Sequence, residues 1–392
     1  MKYNFDLPVN RMNTASLKWD VSGNELPMWV ADMDFETAPE IKADMIKRAE
    51  HGVFGYALVP EEWSQAYIGW WSRRYHFEME KDWLIFTTGI VPAISSMVRR
   101  LTAPNENVLL QTPVFNIFFN SILNNGRRVL ENPLIYENQA YHIDFDDLEC
   151  KLSNPQTTLM ILCNPHNPVG KIWDKETLAR IGSLCVKHNV IVISDEIHGD
   201  ITDPGLEYVP FASVSEDCKN NSITCLAPTK TFNLAGLQTA AVAIPNAVLR
   251  HKVWRALNTD EVAEPNDFAV VGTISAYTKG EAWLDELRSY LYENKQAVIC
   301  YVNQKIPDIK VVSSQATFLL WLDCSEITPD TDELASEIRR ETGLWLMADS
   351  EFGQNGKMFL RMNIACPKVL LNDGLQRLQQ GIENYRKRRV QK

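Results

Sequence analysis

Three short segments carry an amide, a carboxylate and an amine, in that order along the chain. Asn164-Pro165-His166-Asn167-Pro168-Val169-Gly170 reads as a turn, Ser194-Asp195-Glu196-Ile197-His198 follows an apolar run, and Lys230 lies in Cys225-Leu226-Ala227-Pro228-Thr229-Lys230-Thr231-Phe232-Asn233-Leu234-Ala235-Gly236. These are the groups that an aldehyde cofactor of the pyridoxal 5'-phosphate kind requires. The amine captures the aldehyde as an imine and later shuttles a proton at the substrate Cα. The carboxylate keeps the pyridine nitrogen protonated, so that the ring can accept electrons. The amide donates to the phenolic oxygen. Any one lysine is usually a solvated surface group; the order of the three segments gives this one its meaning.

Asp195 ends the run Val190-Ile191-Val192-Ile193-Ser194, where a carboxylate is costly to bury without a partner. An ordinary helix cap is the competing reading of Asp195. Glu196 points to the other side of an extended run and reads as structural. Asn167 lies in the proline-rich turn, with a plain loop as the alternative, and His198 is close enough to Asp195 for a second contact near the phenolic oxygen or is simply hydrogen-bonded. Thr87-Thr88-Gly89-Ile90-Val91-Pro92 follows a strand and opens a helix, which suits a phosphate held by main-chain N–H groups at Gly89, Ile90 and Val91. Phe115 can stack on the pyridine ring or serve as core. Arg361 interrupts the apolar run Met358-Phe359-Leu360-Arg361-Met362-Asn363-Ile364 and needs an anionic partner, internal or bound, such as a substrate carboxylate.

The elements that must hold these groups form a repeating pattern. Trp83 to Thr87 precedes a helix from about Pro92, Asn107 to Gln111 precedes Phe115 to Leu123, Thr158 to Cys163 precedes Lys175 to His188, and Val190 to Ser194 follows. Strands alternating with helices predict an α/β core, a mostly parallel sheet covered on both faces, with ligands at the carboxyl ends of its strands. A small-residue helix start is expected at Asn233 to Gly236, after Lys230. Ala240 to Pro245 reads as a further strand, and helical patterns run from about Ala247 to Asn303. Lys310 to Asp323 reads as one strand, Asp332 to Thr342 as a helix, Lys357 to Ile364 as a strand and Asp373 to Arg389 as a closing helix. This predicts an N-terminal segment (1–45) packing on a small α+β domain (286–392), with a large cofactor-binding domain (46–285) between them.

The 392 residues are 45% hydrophobic and 23% charged, an ordinary globular composition with room for more than one core. A net charge of -11 disfavours nucleic acid or anionic lipid as the main partner. Arg386-Lys387-Arg388-Arg389 ends an amphipathic stretch, where positive charge suits a helix C-terminus. The eight cysteines show no metal-like spacing, and Cys163 and Cys300, in apolar runs, read as reduced and structural. No apolar run approaches the ~20 residues of a membrane helix, and the N-terminus has no apolar signal region, so a cytoplasmic protein without a metal is expected.

From about Trp19 to the C-terminal helix the chain resembles fold-type I pyridoxal-phosphate enzymes of the class I/II aminotransferase superfamily. Arg11, Ser16-Leu17-Lys18-Trp19-Asp20 and Leu26-Pro27-Met28-Trp29-Val30-Ala31-Asp32-Met33-Asp34-Phe35 resemble the cystathionine β-lyase or cysteine C–S lyase branch. The resemblance implies a seven-stranded sheet in the large domain and a small domain built from both chain termini. It implies Lys230 as the cofactor-linked lysine, Asp195 on the pyridinium, and Asn167 on the phenolic oxygen and beside Arg361 on the substrate carboxylate. Main-chain groups of Val30 and Ala31 fall near that carboxylate by the same analogy. Tyr56, in Gly55-Tyr56-Ala57-Leu58-Val59-Pro60, matches a tyrosine that reaches the phosphate from the other subunit, implying a homodimer with shared sites.

Many relatives have Ser and Arg where this chain has Ala227 and Gln238, so the phosphate grip shifts to Gly89, Ile90, Val91, Tyr56 and Thr229. The stacking position, often Tyr in this branch, is Phe115. The expected reaction is α,β-elimination from a sulfur amino acid, with transamination as the alternative. A non-catalytic regulatory role is the remaining reading, and regulators of the superfamily carry a DNA-binding domain ahead of the enzyme-like part.

Overall fold

The computed structural model describes residues 2–353 and 358–391, with side chains to residue 389. Its central sheet has seven strands, in the spatial order Leu84–Thr87, Ala240–Ala243, Ser222–Leu226, Ile191–Asp195, Thr157–Cys163, Asn107–Thr112 and Arg128–Pro133. Only Ala240–Ala243 runs against its neighbours; the other strands share one direction.

Alternate residues of each strand face opposite sides of the sheet. Val108, Leu110, Leu159, Ile161 and Ile193 pack with Ile94, Met97 and Val98 of the helix Ile90–Leu101 and with Leu249 and Val253 of Ala247–Thr259. Leu109, Met160, Leu162 and Val192 face the other way, onto Leu148 and Leu152 of Phe145–Leu152 and Leu178 and Ile181 of Lys175–Lys187. Burial on both faces explains the near-continuous apolar runs in the sequence.

A second sheet has the order Lys310–Val311, Leu319–Asp323, Phe359–Asn363, Met347–Ala348, all antiparallel, with the helices Thr331–Thr342 and Lys368–Gln391 beside it. The N-terminal segment is hydrogen-bonded to this region. Leu26–Pro27 pairs in parallel with Leu344–Trp345, Asn363 N–H donates to Met28 O at 2.8 Å, and Asp34 N–H donates to Ala365 O at 2.8 Å.

Several expectations require correction. Lys310 to Asp323 is two short strands, because the chain turns between them and Thr317 takes a left-handed φ of 69°. The helical patterns expected from Ala247 to Asn303 are present, as the three helices Ala247–Thr259, Asp267–Lys279 and Glu281–Lys305. The second break falls at Gly280, where a Cβ would stand 2.4 Å from Phe232 Cε1. No α-helix starts at Asn233; it is left-handed (φ 55°) and only a 3₁₀ turn, Ala235–Leu237, follows. Cys300 is exposed. Phe115 lies just before its helix, Ile117–Leu123. Of the strand expected from Lys357 to Ile364, Phe359–Asn363 is present and Lys357 lies outside the described residues. Among the described residues no helix is long and apolar enough to cross a membrane.

Candidate active site

The central strands register Cys163 against Asp195 and Asp195 against Cys225, so three strands end level with one another. The turns that follow carry Asn167, His198 and Lys230, and they gather at the carboxyl edge of the sheet, where open α/β sheets bind ligands.

Asp195 is buried, and one carboxylate oxygen accepts the Ile197 N–H at 3.1 Å. Among the described residues it has no cation at ion-pair distance. Burial pushes its pKa up to about 7, against the opposing pull of the Ile197 N–H and the Lys230 charge. A cationic ring nitrogen beside it would remove that penalty.

Lys230 is half-buried, and its Nζ donates to Ala31 O at 2.5 Å. Burial lowers its pKa to about 8; the Arg361 charge lowers it further, while Asp32 and Asp195 act in the opposite direction. This tuning suits proton transfer near neutral pH. Buried His198 is held neutral, its pKa driven down to about 3 by burial and by the Lys230 and Arg361 charges, and its Nδ1 has no partner among the described residues.

Arg361 is buried in the strand Phe359–Asn363. It donates from Nη2 to Trp29 O at 3.0 Å and from Nη1 to Asn167 Oδ1 at 3.4 Å, and its guanidinium lies 4.9 Å from the Phe352 ring centroid. Its Nε has no partner, and no carboxylate reaches it at ion-pair distance among the described residues. Burial lowers its pKa to about 10, opposed by the Glu351 charge. A guanidinium desolvated in this way suits an incoming carboxylate. The Asn167 side-chain NH₂ has no acceptor among the described residues.

Gly89 precedes the helix Ile90–Leu101, whose N-terminus has no side-chain cap, so the N–H groups of Ile90 and Val91 are available to an anion. Thr229 is buried, and its carbonyl accepts the Leu234 N–H at 2.9 Å. Phe115 is half-buried, edge-on to Phe118 at 5.4 Å. Gln238, at the position where many relatives have Arg, is left-handed at the end of the 3₁₀ turn. Tyr56 is not brought to this cluster within one chain; it is fully exposed, among exposed Val53, Phe54 and Leu58. The eight cysteines are unpaired, and no metal-ligand cluster occurs among the described residues.

Three features escaped the sequence reading. Asn363 donates to Val30 O and Asp32 O, both at 2.6 Å. Its position two residues after Arg361 in a strand, on the same face, was the available signal. Asn233 accepts the Met33 N–H at 3.0 Å and donates to Met33 O and Phe35 O, at 2.9 and 3.0 Å. Asp34 accepts from Lys18 Nζ and Arg11 Nη1, both at 2.8 Å, and from Trp19 Nε1 at 2.7 Å. Lys18 is 1% exposed, with Asp32 as its other carboxylate at 3.5 Å. Asp34→Asn therefore leaves the buried ammonium with only the longer Asp32 contacts, and the expected cost is about 3 kcal/mol, read as a lowered urea midpoint.

Taken together, a buried carboxylate without a cation, an unpaired guanidinium, an uncapped helix N-terminus and a lysine of lowered pKa fit pyridoxal 5'-phosphate and an amino acid. The profile of the class I and II aminotransferases matches residues 26–378. The chain belongs to that family. It is 40% identical to the cystathionine β-lyase PatB of Bacillus subtilis over 381 residues, 96% of this chain and 98% of PatB. Among solved structures, cystalysin from Treponema denticola, which contains a pyridoxal 5'-phosphate cofactor, matches with a TM-score of 0.95 and 30% identity over 98% of this chain and 100% of its own. The pyridoxal-phosphate-bound C–S lyase of Staphylococcus hominis matches at 0.91 and 31%, over 97% of this chain and 98% of its own.

Proposed function

We propose that the protein is a pyridoxal-phosphate-dependent carbon–sulfur β-lyase. It acts on L-cystathionine, L-cysteine or related S-substituted cysteines and yields a thiol or sulfide, pyruvate and ammonia. The observation that carries this reading is full-length similarity to a cystathionine β-lyase, together with a buried Arg361 that lacks a carboxylate and a lysine poised for proton transfer.

Bound cofactor supplies an aldehyde for the substrate amine and a protonated ring that accepts the electron pair left at Cα. The rest of the work falls to the chain. Lys230, its pKa near 8, accepts the Cα proton. Arg361 grips the substrate carboxylate with a geometry lysine cannot supply, and Asn167 borders the same place. Asp195 would hold the ring nitrogen protonated, neutral His198 would border the phenolic oxygen, Phe115 would stack on the ring, and Thr229 and the N–H groups of Gly89, Ile90 and Val91 would hold the phosphate. Main-chain groups of Val30 and Ala31 border the substrate carboxylate. The C–S bond breaks as its electron pair leaves on sulfur. A thiolate is a good leaving group, and the Lys230 ammonium can return the proton to it, so no hydroxyl at position 115 is needed. The unsaturated amine left behind takes up water to give pyruvate and ammonia.

Two further readings belong with this one. Tyr56, exposed in an apolar strap, suits a phosphate contact made across a homodimer. Eight unpaired cysteines suit a reducing cytoplasm.

Purified protein given cystathionine or cysteine, with cofactor and without any added keto acid, is expected to release pyruvate, ammonia and thiol or sulfide in equal amounts. Turnover that requires a keto acid would instead make it an aminotransferase, which uses the same lysine, aspartate and arginine.

A further inference from the structure

The segment Trp29 to Asp34 crosses the site through successive bends, and its carbonyls go to different partners. Those of Val30 and Asp32 point to one side, where the Asn363 amide takes both at 2.6 Å. The carbonyl between them, Ala31 O, points to the other side and takes Lys230 Nζ at 2.5 Å. Asn363 is itself fixed, since its Oδ1 accepts the Ala365 N–H at 2.7 Å and it is buried in the strand that carries Arg361.

The segment is pinned at its far end as well. Asn233 binds Met33 and Phe35, and Arg11 and Lys18 hold Asp32 and Asp34. Between Val30 and Asp32 the main-chain carbonyls on that face are taken by Asn363, with a longer Lys18 Nζ contact to Asp32 O at 3.3 Å, while the Asp32 carboxylate pairs with Arg11. Among the described residues, Asn363 is the one side chain that takes the carbonyls on both sides of Ala31.

We propose that Asn363 is a positioning residue for Lys230: by clamping the carbonyls of Val30 and Asp32 it turns the Ala31 carbonyl onto the lysine Nζ, so that the free ammonium has a fixed acceptor. The inference rests on the reading of Lys230 as the cofactor lysine. An N–H of a charged donor held this way favours the protonated amine. Without the clamp the ammonium loses an acceptor, and the lysine pKa falls. The other charged or titratable groups facing Lys230 are Asp32 on the same segment, Asp195 and His198 on the strand end and its turn, and Arg361; replacing Asn363 by a neutral residue adds or removes no charge among them.

The test is the pH dependence of cofactor capture by cofactor-free protein, followed by the visible absorbance that develops on adding pyridoxal 5'-phosphate. Wild type is expected to show a capture-rate midpoint below that of an exposed lysine, near pH 8, because burial lowers the Lys230 pKa. Asn363→Leu, which removes the donor without adding charge, is expected to move that midpoint down by about one pH unit, a tenfold change in the ammonium's stability. An unchanged midpoint in a variant with wild-type circular dichroism overturns the proposal.

Asn363→Ser, smaller and still polar, serves if the leucine variant does not fold, with the same expectation. If neither variant is recovered folded, Asn363 is a folding residue and the positioning role is wrong. A wild-type protein that develops no absorbance would refute the cofactor reading instead, which separates the two failures.

Discussion

Lys230→Ala is expected to develop no visible absorbance with pyridoxal 5'-phosphate and to lose β-elimination by about 10⁴-fold or more. The variant removes two things at once, the amine that captures the aldehyde and the base that takes the Cα proton. Positioned acid–base catalysis alone is worth about 10²–10⁴-fold. The side chain ends in the site with Ala31 O as its acceptor and with burial lowering its pKa to about 8. Burial disfavours a charged amine, so a substantial fraction of Lys230 is neutral near pH 8.

The same value gives the sign of the pH profile. A base must be deprotonated to act, so kcat in the wild type should rise with pH through about 8, and the alanine variant should lack that limb. Borohydride should bleach the wild-type absorbance irreversibly and have nothing to reduce in the variant. A variant that kept full pyruvate production would remove Lys230 from the chemistry altogether.

The alternation of strand and helix was legible because burial on both sheet faces forces apolar residues at successive positions, as in Val108-Leu109-Leu110. Asp195 stood out because a charge ending an apolar strand is costly unless it has work to do, and Lys230 because it follows the amide and carboxylate segments in order. The left-handed Asn233 was not legible, because its reason is tertiary: only that backbone conformation aims its amide at Met33 and Phe35, far away in sequence. Gly280 is a similar case, since Phe232, far away in sequence, leaves no room for a Cβ there.

The N-terminal motif has a comparable explanation. Lys18, Trp19, Asp32 and Asp34 read as a family signature, yet a sequence cannot say which acid meets which base. Folded, Asp34 gathers Lys18, Arg11 and Trp19 and so fixes the segment whose carbonyls meet Arg361, Asn363 and Lys230. Tyr56 is the reverse case. Its expected role depends on a second chain, and within one chain it touches none of the cluster.

Arg361→Met is expected to lower kcat/KM by about 10²–10³-fold, carried mainly by KM. Charge-assisted hydrogen bonds are worth about 1.5–3 kcal/mol each, and a carboxylate in a guanidinium fork makes two. Arg361→Lys should recover only part of the loss, because a point charge cannot reproduce the fork. Stability should respond differently. Removing one member of a buried ion pair costs about 3–5 kcal/mol, since the other charge is left unpaired. Among the described residues Arg361 has no carboxylate partner to strand; its contacts there are the Trp29 carbonyl, the Asn167 amide oxygen and the Phe352 ring. A methionine of similar length fills the space, relieves the buried charge, and forfeits two hydrogen bonds to neutral acceptors. The urea midpoint of cofactor-free Arg361→Met should therefore stay close to wild type, in contrast to the drop expected for Asp34→Asn. If the arginine variant instead unfolds as readily as the aspartate variant, Arg361 serves the fold, and the carboxylate site must be sought elsewhere.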